Sequence, residues 1–190
     1  LLSAHGLRVF DVEELSTHGG SLRLYVCHDE SERHVEQPSV ADLADEERHR
    51  GILDLDRYAA FQRQVERVKY SVLDFLIHEK RAGHRIAAYG APGKGNTLLN
   101  YCGIRSDFID YVVDRNPGKQ GSFTPGTHIP ILHPDEIRRT RPDVVLVMPW
   151  NIKDEIVEQH RYIEEWGGRF VIFLPEVLEL RDGAWVPPSM

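Results

Sequence analysis

Hydrophobic and polar positions follow three different patterns along the chain. Residues 7–15 and 22–27 alternate in part between apolar and polar side chains, and a glycine-containing turn at residues 17–21 separates them. This alternation predicts two β-strands joined as a hairpin. Residues 1–6 end in a glycine and are typical of the last turn of a helix. Because an isolated hairpin buries little apolar surface, we expect residues 1–30 to be the tail of a larger, truncated domain.

A helical pattern occupies residues 31–83. Apolar side chains between Tyr58 and Leu76 recur at spacings of three and four residues. This period predicts a long amphipathic helix over residues 54–80, stopped by Gly83. A shorter, acidic helix is predicted ahead of it. We interpret the whole segment as a helical connector.

From residue 84 to residue 190, short apolar runs alternate with helical segments. Five such runs are found, at residues 85–89, 108–113, 129–132, 144–148 and 170–174. Unbroken apolar strands separated by helices indicate a parallel sheet that is covered on both faces. The sequence therefore predicts an α/β fold with a Rossmann-like, doubly wound parallel sheet of five strands in the order 3-2-1-4-5. The hairpin and the long helix would precede it.

Charge and cysteine content narrow the class of protein. The formal net charge is −7, from 23 basic and 30 acidic residues. This argues against a general nucleic-acid binder, which must neutralise many phosphates. No apolar run approaches the roughly 18 residues of a membrane span. The two cysteines, Cys27 and Cys102, are too few for a disulfide framework or a cysteine-rich zinc site, and they fit a reducing cytoplasm. We assign no metal ligands.

A glycine-rich loop follows the first apolar run and opens a helix. Gly90, Gly93 and Gly95 let the backbone turn tightly and approach a ligand. The amides at the start of the helix favour an anion, and Lys94 adds a positive charge beside them. Asn96 completes the loop. This arrangement is typical of a site for a phosphate or another anionic group.

Asp114 ends the second apolar run, 24 residues after Gly90. Dinucleotide-binding folds carry a ribose-binding carboxylate at this point. The glycine spacing, however, is neither G-x-G-x-x-G nor that of a P-loop. Two interpretations therefore stand side by side: nucleotide-type binding, or a tight turn in a Rossmann-like shell without a ligand.

Four more residues are candidates for substrate binding. Lys119 follows the second strand, and Trp150 and Asn151 follow the fourth, so they are expected at the carboxyl edge of the sheet. Lys119 is equally compatible with a solvated loop, and Trp150 with a cap on the core. His18 lies in the predicted hairpin turn, where it either only shapes the turn or faces a substrate in another domain.

Several stretches together resemble a known family. They are VFDVEEL (residues 9–15), THGGSL (17–22), YGAPGKGNTLLNY (89–101), KQG (119–121), PGTHIPI (125–131), PD (142–143) and PWNIKDE (149–155). In this order they resemble the C-terminal region of the S-adenosylmethionine-dependent C-methyltransferases that modify nucleotide-linked deoxysugars. They cover nearly the whole chain. The chain departs from the family pattern at Gly93, where an Ala is usual.

The resemblance implies a chain that is part of a larger enzyme. A complete family member has a zinc-binding domain, a methyltransferase domain and then the Rossmann-like domain, with the sugar nucleotide between the last two. Residues 1–30 would then be the final hairpin of the methyltransferase domain. The structural zinc, the S-adenosylmethionine site and the catalytic cluster would lie outside this chain. We therefore assign no catalytic residue and no cofactor here, and expect the chain alone to be inactive.

Two alternatives to a substrate-binding and scaffold domain remain open. One is a self-contained nucleotide-binding module of the NAD type, for which the glycine loop and Asp114 are the basis. The other is a structural docking or dimerisation domain without any ligand. The expected partners under the main interpretation are a nucleotide sugar and the chain's own methyltransferase domain, not nucleic acid or membrane.

Overall fold

In the computed structural model, which describes residues 1–189, the chain divides into two compact units at residues 63 and 64. The division falls within the second α-helix. The three-part division predicted from the sequence, with boundaries at residues 30 and 83, stays a prediction.

The first unit contains a hairpin and a helix. A 3-10 helix (Leu2–His5) is followed by β1 (Leu7–Leu15), β2 (Ser21–His28), α1 (Pro38–His49) and the start of α2 (Leu55–Arg81). β1 and β2 pair antiparallel from Leu7 opposite His28 to Leu15 opposite Ser21. The predicted hairpin and the predicted long helix are therefore confirmed. No residue from 1 to 63 is buried.

The second unit is built on a mixed, mostly parallel sheet. Its strands are β3 (Ile86–Tyr89), β4 (Tyr111–Val113), β5 (Ile131–Leu132), β6 (Val144–Val147), β7 (Arg169–Ile172), β8 (Leu178–Arg181) and β9 (Ala184–Val186). They lie in the order β5-β4-β3-β6-β7-β8-β9. The first five are parallel in the predicted order 3-2-1-4-5, and β8 and β9 add antiparallel pairs. The expectation of five strands was therefore wrong, because the sheet has seven.

Two of the observed strands, β4 and β5, begin two or more residues later than their apolar runs. The Ile109 amide donates to the Arg105 carbonyl at 3.1 Å, and the Ile129 amide donates to the Thr124 hydroxyl at 2.9 Å. These groups are held in local turns and are thus unavailable for pairing with a neighbouring strand. β4 and β5 begin only after those turns end.

Helices cover both faces of this sheet. They are α3 (Gly93–Cys102), α4 (Asp135–Thr140) and α5 (Lys153–Gln159), with α2 and 3-10 turns at Trp150–Ile152 and Arg161–Trp166. One apolar core joins a sheet face to α2 and α3 through Leu76 and Leu99. The other joins the opposite face to α4 and α5 through Ile137 and Ile156. Alternate residues of β3 enter the two cores, as the pleat of a strand requires.

The helical stretch over residues 153–166 is interrupted at His160. The His160 ring is 4.4 Å from the Tyr89 ring, and its Nδ1 lies 2.9 Å from the Ile156 carbonyl oxygen. The chain leaves the α conformation there and continues as the 3-10 helix. Among residues 1–189, no helix is long and apolar enough to cross a membrane.

Candidate ligand-binding edge of the sheet

The glycine loop lies at the carboxyl end of β3, against the residue that follows β6. Gly90 has φ +84, a conformation that side chains rarely adopt, and its amide donates to the Val113 carbonyl at 2.6 Å. A Cβ atom at Gly90 would lie 2.6 Å from Cγ of Pro149. Both the backbone angle and the close approach therefore require glycine here.

The other two loop glycines have different surroundings. A Cβ atom at Gly95 would lie 2.5 Å from Cε and 3.3 Å from Cβ of Met148. Gly95 thus allows α3 to start tightly against the end of β6. A Cβ atom at Gly93 would meet nothing within 4 Å. Of the three glycines, only Gly93 opens onto free space, so a ligand would approach the loop from its side.

The first turn of α3 has no side-chain cap. Pro92 is the N-cap residue and provides no side-chain cap, and the Asn96 amide is bonded to the Pro92 carbonyl at 3.1 Å. The amides of residues 93–95 have no partner within the helix, because the first helical turn lacks preceding carbonyls. Lys94 lies in this turn, with its Nζ 4.8 Å from the centroid of the Trp150 ring. This is a cation–π distance, and it holds a positive charge beside those amides.

Asp114 holds the glycine loop through hydrogen bonds to its side chain. Its Oδ2 accepts hydrogen bonds from the Ala91 amide at 2.8 Å and from Lys119 Nζ at 2.9 Å, and its Oδ1 accepts from the Asn116 amide at 2.9 Å. Lys119 also donates to the Ala91 carbonyl at 3.0 Å. The Asp114 carboxylate, the Lys119 ammonium and the backbone of Ala91 therefore form a closed ring of hydrogen bonds at the glycine loop.

This ring fixes the charge state of Asp114. Burial raises the pKa of its carboxyl, but the hydrogen bonds from Asn116 and Ala91 and the nearby Lys119 ammonium outweigh burial. The pKa of Asp114 is thus held below its usual range, and the group is a carboxylate at neutral pH. Both oxygens accept hydrogen bonds from the chain, so the carboxylate holds the loop in place.

Eight of the nine predicted binding residues gather at this edge. Trp150 begins the 3-10 helix after β6 and packs on the core beside α5. Asn151 in that 3-10 helix is exposed, and Asn96 is partly exposed in α3. His18 is the exception. It lies in the hairpin turn of the first unit, with φ +57. Ligand contact by any of these residues stays a prediction.

Sequence reasoning did not single out Gln120, which also contacts Asp114. Gln120 donates from its side-chain amide to the Asp114 carbonyl at 2.9 Å. The only available signal was its place in the Lys119-Gln120-Gly121 stretch, directly after a strand end.

Among residues 1–189, no three His, Cys, Asp or Glu side chains are placed to hold a metal ion.

Comparison with known proteins decides the family. A family model described as the C-methyltransferase C-terminal domain matches residues 16–175. The chain belongs to this family. It is similar to the C-methyltransferase NovU of Streptomyces niveus, with 36% identity over 176 residues, which is 93% of this chain and 42% of the relative. The chain thus spans less than half the length of that relative.

The match covers the whole of the candidate site. All nine residues from His18 to Asn151 lie inside the matched region of the C-methyltransferase C-terminal domain. The whole of β1, β8 and β9 lies outside it. The two strands that extend the sheet beyond the predicted five are therefore not part of what the family model describes.

Proposed function

We propose that this C-methyltransferase C-terminal domain binds the diphosphate of a nucleotide-linked keto-deoxysugar and serves as a scaffold for its methylation. The observation that carries the proposal is the start of α3, where the amides of the first helical turn and the Lys94 ammonium lie together beside Gly93. A helix start of this kind favours an anion, and a lysine adds a charge-assisted contact.

Each residue at this edge has a distinct part in the proposal. Lys94 and the amides of residues 93–95 would contact the diphosphate. Trp150 positions Lys94 through its ring, and Asn96 and Asn151 would supply neutral hydrogen bonds to the sugar or the nucleoside. Asp114 and Lys119 would keep the loop in shape, because their mutual contacts already bind its backbone.

The methylation chemistry would take place in another part of the enzyme. S-adenosylmethionine would supply the methyl group there, after a base removes a proton next to the sugar ketone. This chain has no glycine-rich strand–loop–helix segment before residue 84, and residues 1–189 hold no cluster for the structural zinc. Its residues would hold the substrate in a cytoplasmic enzyme.

A second candidate function is docking, and the first unit favours it. Leu22 and Leu24 on β2 are each 49% exposed. An apolar hairpin without a core is suited to packing on another domain. The NAD-type alternative is weaker, because the Asp114 carboxylate that would bind a ribose is occupied by Ala91, Asn116 and Lys119. Stabilisation of the chain by NAD(H) in a melting experiment would favour the NAD-type alternative over docking.

The test of substrate binding is Lys94→Ala in the full-length enzyme. Removing one charge-assisted contact is worth about 1.5–3 kcal/mol. The affinity for the sugar nucleotide should therefore fall by roughly 10- to 150-fold. Calorimetric titration gives this value, and the affinity for S-adenosylmethionine should not change.

Lys69→Ala is the matched control. Lys69 also lies over an aromatic ring, with its Nζ 5.1 Å from the Tyr101 centroid, but it lies on α2 and donates to the Tyr101 carbonyl. It should leave the affinity for the sugar nucleotide unchanged. An unchanged affinity in Lys94→Ala would show that the loop does not bind the substrate, and would leave docking as the function.

A further inference from the structure

A groove on the opposite face of the sheet from α3 has no role in the site described above. It is lined by Arg115 after β4, His133 and Pro134 after β5, and Gln159 and His160 at the end of α5. Its volume is about 370 Å³. That is within the size range of pockets for small molecules.

The charged and polar groups of the groove are mostly hydrogen-bond donors. Arg115 donates through Nη1 to the side-chain oxygen Oε1 of Gln159 at 3.2 Å. This bond positions the guanidinium and leaves its other N–H groups available to a ligand. The Nδ1 of His133 accepts from the Asp135 amide at 3.2 Å and lies 3.3 Å from the Asp135 carboxylate. With Nδ1 accepting this hydrogen bond, Nε2 carries the proton and is a donor.

A buried donor without a partner lies next to the groove. Tyr89 is 5% exposed, and its hydroxyl has no hydrogen-bond partner among the described residues. Its ring is in edge contact with the His160 ring, at 4.4 Å between centroids. Burial raises the pKa of Tyr89, so the hydroxyl remains protonated. A buried donor in this state favours any group that brings it an acceptor.

His160 is neutral in this setting. Burial lowers its pKa, and its Nδ1 lies within hydrogen-bond distance of the Ile156 carbonyl and therefore carries the proton. Arg115 acts electrostatically on both His160 and Tyr89, which places its charge near the unpaired hydroxyl. The groove thus combines the fixed charge of Arg115 with hydrogen-bond donors on His133 and Tyr89.

We propose that this groove is a second ligand site that takes an oxyanion, the phosphate or carboxylate group of a small molecule. Arg115 supplies the charge that neutralises the oxyanion. Nε2 of His133 donates from the rim, and the Tyr89 hydroxyl donates once the ligand displaces the His160 ring that lies against it. None of the residues that line this groove is among those assigned to the glycine-loop site, so the two sites can be tested separately.

The test uses melting of the full-length protein in inorganic phosphate or in acetate, each at constant ionic strength. Both anions are measured because the two sources of an oxyanion differ: stronger stabilisation by phosphate identifies a phosphorylated ligand, and stronger stabilisation by acetate a carboxylate. Stabilisation by neither anion overturns the proposal.

Three variants separate this groove from the glycine loop. In Arg115→Ala, the anion concentration needed for the same rise in melting temperature should increase by roughly 10- to 150-fold. Arg105→Ala removes an exposed arginine of the same unit and should change nothing. Lys94→Ala should still be stabilised by the anion, because binding in the groove does not involve Lys94. If Lys94→Ala abolishes stabilisation and Arg115→Ala does not, the anion binds at the glycine loop and the groove proposal is wrong.

Tyr89→Phe tests the unpaired hydroxyl without changing the shape of the core. Without anion, the melting temperature should stay the same or rise, because a buried donor without a partner is removed. Anion affinity should fall by roughly two- to tenfold, as expected for one neutral hydrogen bond. A lower melting temperature together with unchanged anion affinity would show that the hydroxyl serves the fold, and would remove it from the proposed site.

Discussion

The two units of the chain differ most in what they bury. From residue 64 onward, strands and helices enclose an apolar core on each face of the sheet. From residue 1 to residue 63, every side chain is at least partly exposed, although β1 and β2 pair along their whole lengths. Regular backbone pairing alone gives a hairpin little stability in water. The second unit therefore has an apolar core of its own, whereas the first buries no side chain.

The same contrast holds for charges. In the hairpin, Arg23 pairs with Glu13 across the strands, and both side chains are about half exposed. In the second unit, Arg169 on β7 bridges Glu79 on α2 and Glu179 on β8, two carboxylates that are 3% and 5% exposed. An exposed pair contributes little, but a buried one becomes costly when one partner is removed.

The largest expected effect comes from breaking the buried network. Arg169→Met leaves Glu79 and Glu179 without their shared cation, so the free energy of unfolding should fall by about 3–5 kcal/mol. Urea unfolding of the chain measures it. Arg23→Met breaks the exposed pair in the hairpin and should have no measurable effect. Equal losses in the two variants would contradict the contrast between the units.

A core truncation sharpens the contrast for apolar contacts. Leu146 on β6 is 1% exposed, and Leu146→Ala should lower the free energy of unfolding by about 2–5 kcal/mol. Leu24→Ala in the hairpin should cost less than 1 kcal/mol in this chain, because half of that side chain is already in water. Denaturant unfolding of both variants checks the difference.

The hairpin variant also tests the docking hypothesis. If β2 packs on another domain, Leu24→Ala should destabilise the full-length enzyme more than it destabilises this chain. An equally small effect in both proteins would show that the exposed face of the hairpin covers nothing.

Apolar spacing predicted the hairpin, the long helix and the parallel strands, because each period reflects which faces are buried. It missed β8 and β9, which are short and half exposed. A signal for them was present. Asp182 and Gly183 separate the two strands and both have positive φ, as a two-residue hairpin turn requires. The prediction of a five-stranded sheet did not use it.

The candidate site was predicted less completely than the fold. The loop glycines and Lys94 were recognisable because helix starts have local sequence signals. The contact between Asp114 and the loop could not be recognised from the sequence. Its partner Ala91 is 23 residues away, and the contact depends on how β3 and β4 pair. The sequence singled out Asp114 but could not show that groups of the chain itself contact its carboxylate.

The smallest expected effect compares a buried carboxylate with an exposed one. Asp114→Asn keeps the shape of the side chain but removes the charge that faces Lys119. At neutral pH, the free energy of unfolding should fall by about 1–3 kcal/mol, the cost of weakening a charged hydrogen bond. Glu13→Gln in the hairpin is the matched control and should change stability less, because Glu13 is half exposed.

The pH dependence of this difference distinguishes charge from shape. The pKa of Asp114 is lowered in the folded state, so the carboxylate stabilises the fold above its unfolded pKa of about 4. This contribution is lost as the pH falls through the lower, folded-state pKa. The stability gap between wild type and Asp114→Asn should therefore be full at neutral pH and shrink in acid. Urea unfolding at a series of pH values measures the gap. A gap that stays constant into acid would mean that Asp114 acts through shape alone and that its ring with Lys119 does not stabilise the glycine loop by charge.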